Sequence, residues 1–399
     1  MKIKYSFILG HSSEISFAEI KSLLNFLSIK FLILEFNKYF LIIETDSEID
    51  VVSIMKQLGG VIKIGKIENE FLINEIEKAQ NFLFDYLVKN KSNGKLKIGF
   101  SFYNTSSSFM SSFERASFLL KKKLKQQNIP VRIITSKKQD LSAVIVDKEK
   151  LIDRGFDFQI LAFDDKFFIT KTLAIQDYEK FGSIDYDRPK IDATSGMMPP
   201  KLAQIMLNLS KNRDIVYDPF CGSGTILLMA GELNYKKIIG SDISSRAVSD
   251  SVENIKWYEE KFNKKLNYEI FEADVLDLPQ KILDEKINCI VTEGYLGKPL
   301  RGNESLDFIK KQIKELEILY LKSFEVFSKI SSLNCVIISM PVFARAKELF
   351  YLHILDKISE YGFKQENLLD DKYLNERRTL IYKREDQKVY REIIKFVKL

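Results

Sequence analysis

The sequence predicts an α/β protein whose C-terminal half is a doubly wound, mostly parallel sheet and whose N-terminal half is α+β. Three observations lead there. Predicted strands at 215–217, 237–240, 268–271, 287–292 and 334–339 alternate with helical stretches, the pattern of a parallel sheet covered on both faces. A glycine-rich loop follows the first of these strands directly. The second, third and fourth strands each end at or next to a carboxylate, at Asp242, Asp274 and Glu293.

The front half reads differently. Residues 5–9 are a short apolar run, and 14–26 carry Ile15, Phe17, Ile20, Leu23 and Leu24 at helical spacing. Residues 31–35 and 39–44 predict paired strands, 51–58 a helix, and a further strand starts at Val61. That order is similar to a small ferredoxin-like unit over 1–65. A second unit over 66–163 follows, with helices at 74–88 and 111–127 and strands at 97–103, 131–135, 141–147 and 157–161. A run at 167–174 closes this set. The segment 164–190 is expected to be a linker, because from 178 onward it holds Gly182 and Pro189 and little apolar periodicity. The remaining domain then spans 191–399.

Composition bounds the function classes. The 399 residues are 45% hydrophobic and 29% charged, which is ordinary for a globular chain and excludes disorder or collagen-like repeats. No run of about 18 apolar residues exists, so no membrane span is expected. The opening residues lack a secretory apolar region, which points to the cytoplasm. Three scattered cysteines (Cys221, Cys289, Cys335) and two histidines (His11, His353) argue against a disulfide framework, a metal centre and Ser-His-Asp hydrolysis. The net charge is +6, and residues 1–180 carry 27 basic against 22 acidic groups. A mildly basic front half suits a polyanion, and equally a lysine-rich solvated surface.

The strand ends carry the chemistry. Asp218-Pro219-Phe220-Cys221-Gly222-Ser223-Gly224-Thr225 follows the first strand and opens a helix whose free N–H groups face the crevice above the sheet. It is not a dinucleotide fingerprint, since Leu227 occupies the last glycine position, and it is not a phosphate loop, since no Gly-Lys-Ser/Thr follows. Asp242, with Ile243 after it, lies 24 residues beyond Asp218. That is near the roughly 20-residue spacing at which a carboxylate accepts from ribose hydroxyls. Asp274 is placed to accept from an exocyclic amine, with Val275 as an apolar contact to the ring. A single acid after a strand commonly caps a helix. Acids at successive ends, together with the glycine loop, repel phosphate and suit an uncharged or cationic nucleoside. Cys221 has no base near it in sequence, so nucleophilic attack by its thiol is disfavoured.

The loop resembles motif I of class I S-adenosylmethionine-dependent methyltransferases, in the Cys-Gly-Ser-Gly form of RNA and DNA amino-methyltransferases. The segment from Asp192 to Met206 resembles the helix preceding motif I in tRNA guanosine-10 N2-methyltransferases. The resemblance implies a Rossmann-like methyltransferase domain behind a ferredoxin-like unit and a THUMP domain, with S-adenosylmethionine as cofactor. It implies that Ser195 lies near the methionine end of the cofactor, and that Asp218 through Cys221, Gly222, Gly224, Thr225, Asp242, Ile243, Asp274 and Val275 complete the cofactor site. Without it, Pro199-Pro200 followed by Leu202, Ile205, Met206 and Leu209 reads as a helix with one apolar face packed on the sheet.

At the fourth strand end the sequence reads Thr292-Glu293-Gly294-Tyr295. Enzymes that methylate exocyclic amines usually carry Asp/Asn-Pro-Pro-Tyr/Phe there. A conjugated amine is a weak nucleophile. A side-chain oxygen and a backbone carbonyl accept its hydrogens and stabilise developing charge, while a ring stacks on the base. By resemblance Glu293 is the amine acceptor, the Gly294 carbonyl the second acceptor, and Tyr295 the stacking ring. Glutamate for Asp/Asn and glycine for proline both depart from the family pattern. Lys298 and Arg301 could meet phosphates or simply be solvated.

In the front half, Lys121, Lys122, Lys123 and Lys125 lie at a helix end and Arg132 in the next strand. They suit phosphate contacts or complement the helix dipole. Phe100, Phe102 and Tyr103 suit base stacking or, on a strand, a core. The resemblance implies that the THUMP region grips tRNA, that the chain is a monomer, and leaves a small activator subunit open. Three readings stand: a tRNA guanine-N2 methyltransferase, an amino-methyltransferase for another RNA or DNA base, and a tRNA-binding protein with weak or lost turnover.

Overall fold

The computed structural model describes residues 2–91, 94–136, 138–191, 197–346, 348–384 and 387–399. They form two compact units. One comprises Met1–Ser13, Ser28–Gln57 and Val61–Tyr178; the other comprises Glu14–Leu27, Leu58–Gly60 and Glu179–Leu399.

The chain runs β1 (Ile3–Leu9), α1 (Ser13–Phe26), β2 (Phe31–Phe36), β3 (Phe40–Thr45), α2 (Val51–Gln57), β4 (Val61–Leu72), α3 (Ile76–Asn90), β5 (Leu96–Tyr103), α4 (Ser107–Gln126), β6 (Val131–Ile134), α5 (Ala143–Lys148), β7 (Gly155–Phe163) and β8 (Lys166–Ile175). The eight strands make one sheet in the order β2-β3-β1-β4-β8-β7-β5-β6. The boundary expected after residue 65 therefore falls inside β4, which pairs with β1 on one side and β8 on the other.

Two sequence expectations give way here. The start of the 164–190 linker is an interior strand: β8 pairs with both β4 and β7, and Asp164, in the left-handed region at φ 52°, turns the β7–β8 hairpin. Further along, Tyr178–Tyr186 is helix α6. The strand expected at 141–147 is helix α5, because the Ser142 hydroxyl accepts from the Ile145 N–H at 3.4 Å and caps it. A short run of Val and Ile does not distinguish strand from buried helix by periodicity. Phe100 and Phe102 are buried against Phe113, and Tyr103 is buried with Phe40, Leu161 and Phe168, so they are core residues and not base-stacking ones.

The second unit continues with α7 (Pro200–Leu209), β9 (Ile215–Asp218), α8 (Thr225–Glu232), β10 (Lys237–Asp242), α9 (Ser245–Phe262), β11 (Tyr268–Glu272), α10 (Gln280–Leu283), β12 (Cys289–Glu293), α11 (Leu306–Ser328), β13 (Cys335–Arg345), β14 (Glu348–Phe350), β15 (Phe363–Glu366), β16 (Leu380–Tyr382) and β17 (Val389–Lys398). Strand order is β11-β10-β9-β12-β13-β17-β15, with β14 on β13 and β16 on β17. The five strands from β9 to β13 are parallel; β17 inserts antiparallel. Tyr217, Ile290, Tyr320, Phe324, Val336 and Phe396 lie in its main core.

From Glu14 onward, helix α1 belongs to this unit. The carboxylate of Glu19, fully buried, accepts from the Gly59 and Gly60 N–H groups at 2.8 Å each and from Asn208 Nδ2 of α7 at 2.7 Å. Burial still pushes its pKa up to about 7. Among the described residues no helix is long and apolar enough to cross a membrane.

Candidate active site

Parallel strands bring their carboxyl ends to one edge. Gly240 lies opposite Asp218 in the β9–β10 ladder, and Asp242 opposite Glu272 in the β10–β11 ladder. The predicted acids therefore gather above neighbouring strands, although they are not equivalent there.

Asp218 is only 1% exposed. Its Oδ1 accepts from Thr292 Oγ1 at 2.6 Å and from the Phe220 N–H at 3.2 Å, tying the end of β9 to β12. Burial lifts its pKa to about 7 against those two bonds, and the charges of Asp242 and Glu293 add to the rise. It is a buried anchor of the loop. Asp242 is half-exposed and holds the loop from the other side: Oδ2 accepts from the Gly222 N–H at 3.0 Å and Oδ1 from the Ser244 N–H at 3.0 Å. Each carboxylate oxygen retains a second lone pair for a ligand hydroxyl.

The glycines are required by backbone geometry. Gly222 has φ 51° and Gly224 φ 84°. A Cβ on Gly224 would stand 2.4 Å from Ser251 Oγ, whereas one on Gly222 would meet nothing within 4 Å. The loop is thus packed behind Gly224 and open before Gly222, which admits a ligand against its backbone. Helix α8 follows at once, with its first-turn N–H groups at the same place. Pro219 is buried, and Phe220 packs against the core. Cys221 is 5% exposed, and burial beside Asp218 and Asp242 pushes its thiol well above the usual range, so it is no nucleophile.

Beyond β11, Asp274 is exposed and its Oδ1 accepts from the Leu276 N–H at 2.9 Å. Val275 departs from expectation. It is 4% exposed and sits in the core with Ile239 and Ile290, because the turn after Asp274 points it inward. Ile243, 69% exposed, is the apolar side chain open to solvent at this edge. Ser195 lies outside the described residues.

At the end of β12 the side chain of Glu293 is 17% exposed and forms an ion pair with Arg391 of β17. Burial pushes the Glu293 carboxyl above the usual carboxylate range, and the guanidinium pulls it back without cancelling the effect. Gly294 is explained by its neighbour. A Cβ there would lie 2.2 Å from Tyr320 Oη, so the buried ring of Tyr320 takes the space a larger residue would need. Tyr320 Oη donates to the Tyr295 carbonyl at 3.1 Å, holding up a loop whose Tyr295 is 51% exposed. The residues the sequence did not single out are Arg391, Tyr320 and Arg188. Tyr320 reads as an ordinary core position on an amphipathic helix, and the two arginines lie outside any motif.

The basic residues belong to the other unit. Lys122, Lys123, Lys125 and Arg132 are exposed and Lys121 is half-buried. Lys123 Nζ donates to Asn81 Oδ1 at 3.0 Å, and Arg132 approaches Glu149 at 3.8 Å.

With this geometry in view, residues 21–254 match a family model described as DNA methylase. The chain belongs to that DNA methylase family. Its fold is that of class I S-adenosylmethionine-dependent methyltransferases: the structure of TrmN from Thermus thermophilus superposes with a TM-score of 0.56, at 14% identity, covering 100% of both chains. Among curated relatives, this DNA methylase family member is 38% identical over 137 residues to a tRNA (guanine(10)-N2)-dimethyltransferase of Methanothermobacter thermautotrophicus, covering 34% of this chain and 38% of that one. It is 31% identical over 163 residues to the enzyme of the same name from Methanocaldococcus jannaschii, covering 40% and 45%. The matches span less than half of the length of these relatives.

Proposed function

We propose that the chain methylates the exocyclic N2 amine of a guanine in tRNA, guanosine-10 being the target favoured by its similarity to relatives of that name. The observation that carries this reading is the juxtaposition at the end of β12. A half-buried, ion-paired carboxylate, Glu293, stands two residues from an exposed ring, Tyr295, on the same sheet edge as the glycine loop.

The residues fit S-adenosylmethionine, as the open space before Gly222 and the spare lone pairs of Asp242 indicate. When bound, the cofactor supplies an electrophilic methyl group on a cationic sulfur. Asp242 accepts from ribose hydroxyls, Asp274 faces the purine amine, and Ile243 covers the ring. Asp218 and Thr292 keep the loop in register with the target pocket. Tyr295 stacks on the guanine, which must be swung out of its tRNA stack to arrive there. Glu293 and the Gly294 carbonyl accept the two amine hydrogens, orient the lone pair, and offset the positive charge that grows on nitrogen.

In the same reading the first unit contains a THUMP domain, and Lys121, Lys122, Lys123, Lys125 and Arg132 contact tRNA phosphates. The chain acts as a cytoplasmic monomer. The test is transfer of radiolabel from the methyl donor to bulk tRNA by the wild-type chain and by Glu293→Ala. Label incorporated by the first and not the second supports the assignment; equal incorporation removes Glu293 from the chemistry.

A further inference from the structure

Arg188 is a buried cation at the start of α8 with no ion-paired carboxylate among the described residues. It is 2% exposed. Nη1 donates to Oγ1 of Thr225, the first residue of α8, at 2.8 Å, and Nη2 donates to the thioether sulfur of Met197. Nε is buried and has no partner among the described residues. The same sulfur receives a weak contact from Ser223 Oγ of the glycine loop at 3.8 Å. A guanidinium offers five N–H donors in a planar fork, and a thioether is among the poorest acceptors available to it. A buried cation is costly unless paired. The positive end of α8 lies beside this one, so two like potentials converge where an anion would relieve both. Burial accordingly lowers the pKa of Arg188, opposed by the charge of Asp185.

We propose that Arg188 is a carboxylate-binding residue that receives the amino-acid carboxylate of S-adenosylmethionine, displacing the Met197 sulfur from its guanidinium. This rests on the cofactor reading above and deepens it. The acids at 242 and 274 lie at the ends of β10 and β11, so the site is polarised. Its carboxylate-rich part suits the ribose, the purine amine and the sulfonium, and the Arg188–Thr225 corner takes the one anionic group of the molecule.

The test compares two ligands that differ at that group: S-adenosylhomocysteine, which has the carboxylate, and 5′-methylthioadenosine, which has the same nucleoside thioether without it. Affinities are measured by calorimetry for wild type, Arg188→Met and Arg188→Lys. Arg188→Met is expected to weaken S-adenosylhomocysteine about 10- to 100-fold, the range for a charged hydrogen-bonded pair. It should leave 5′-methylthioadenosine within about twofold, and Arg188→Lys should recover part of the loss because it keeps the charge. Unchanged S-adenosylhomocysteine affinity in Arg188→Met, or an equal loss for both ligands, overturns the proposal. Failure of the wild-type chain to bind either ligand would instead overturn the cofactor reading itself, so the two failures are distinguishable.

Discussion

Glu293 and Arg391 form an ion pair across the strand that separates them. They are 98 residues apart in sequence, on β12 and β17, and β13 runs between those strands. Arg391 is 2% exposed. Among the described residues, the groups that act electrostatically with Glu293 include this guanidinium, the Asp218 carboxyl and the Tyr320 hydroxyl.

That pair predicts a pH phenotype. Arg391 holds down a carboxyl that burial pushes up, so Arg391→Gln should raise the Glu293 pKa further. A protonated Glu293 is a poorer acceptor for the substrate amine. The acidic limb of the kcat profile should therefore move to higher pH, with activity recovering as pH rises, and Arg391→Lys should restore much of the wild-type position. An unmoved limb in Arg391→Gln would separate this residue from the ionisation of Glu293.

Gly294→Ala should be damaging out of proportion to one methyl group. The new Cβ would lie 2.2 Å from Tyr320 Oη and 2.4 Å from its ring, and that ring is fully buried in the core. A cost of about 1–3 kcal/mol is expected in urea denaturation, as for other overpacked sites. Tyr320→Phe, which removes the atom nearest the new methyl group, should cost less in the Gly294→Ala chain than in wild type. Equal stability of Gly294→Ala and wild type would mean that the ring moves freely.

Glu19 and Asp218 should make stability fall between about pH 4 and pH 7. Both have folded-state pKa values raised to about 7, above their unfolded values near 4. In that window the native state binds protons that the unfolded state has released. Their contribution is complete below the unfolded pKa and is lost as pH rises through the folded one. Denaturant midpoints measured across this range should drop less steeply in Glu19→Gln, whose amide cannot ionise. Identical slopes would show that the carboxyl is already charged at pH 4.

The basic run at the end of α4 should govern tRNA affinity through salt. Replacing Lys121, Lys122, Lys123 and Lys125 by Gln should weaken binding and flatten the plot of log affinity against log salt by up to about one for each phosphate left without its cation. Filter binding at several salt concentrations reads the slope. A slope equal to that of wild type would place the patch away from the RNA.

Much of this was legible because the informative residues sit at fixed places in a parallel sheet. Each βα step announces itself by alternation, and the glycine loop by its spacing, so Asp218, Asp242, Asp274 and Glu293 could be assigned to one edge. What those acids do was less legible: Asp218 turned inward to Thr292, and Val275 joined the core. The C-terminal strands escaped notice for a physical reason. In β17, Arg391, Glu392 and Lys395 are buried and therefore break the apolar pattern of an interior strand, yet each is paired, with Glu293, Arg377 and Glu366 respectively. Pairing of this kind involves partners 15 to 98 residues away and leaves no local trace. Tyr320 was invisible for the opposite reason, since a buried aromatic on an amphipathic helix matches every other core residue.

The most direct measurement is nucleoside mass spectrometry of tRNA after incubation with the chain and the methyl donor. A guanosine carrying one or two methyl groups on N2, absent from the Glu293→Ala reaction, is the expected product. Methyl groups found only on adenine or cytosine amines, or no modified nucleoside from a chain that binds both cofactor and tRNA, would contradict it.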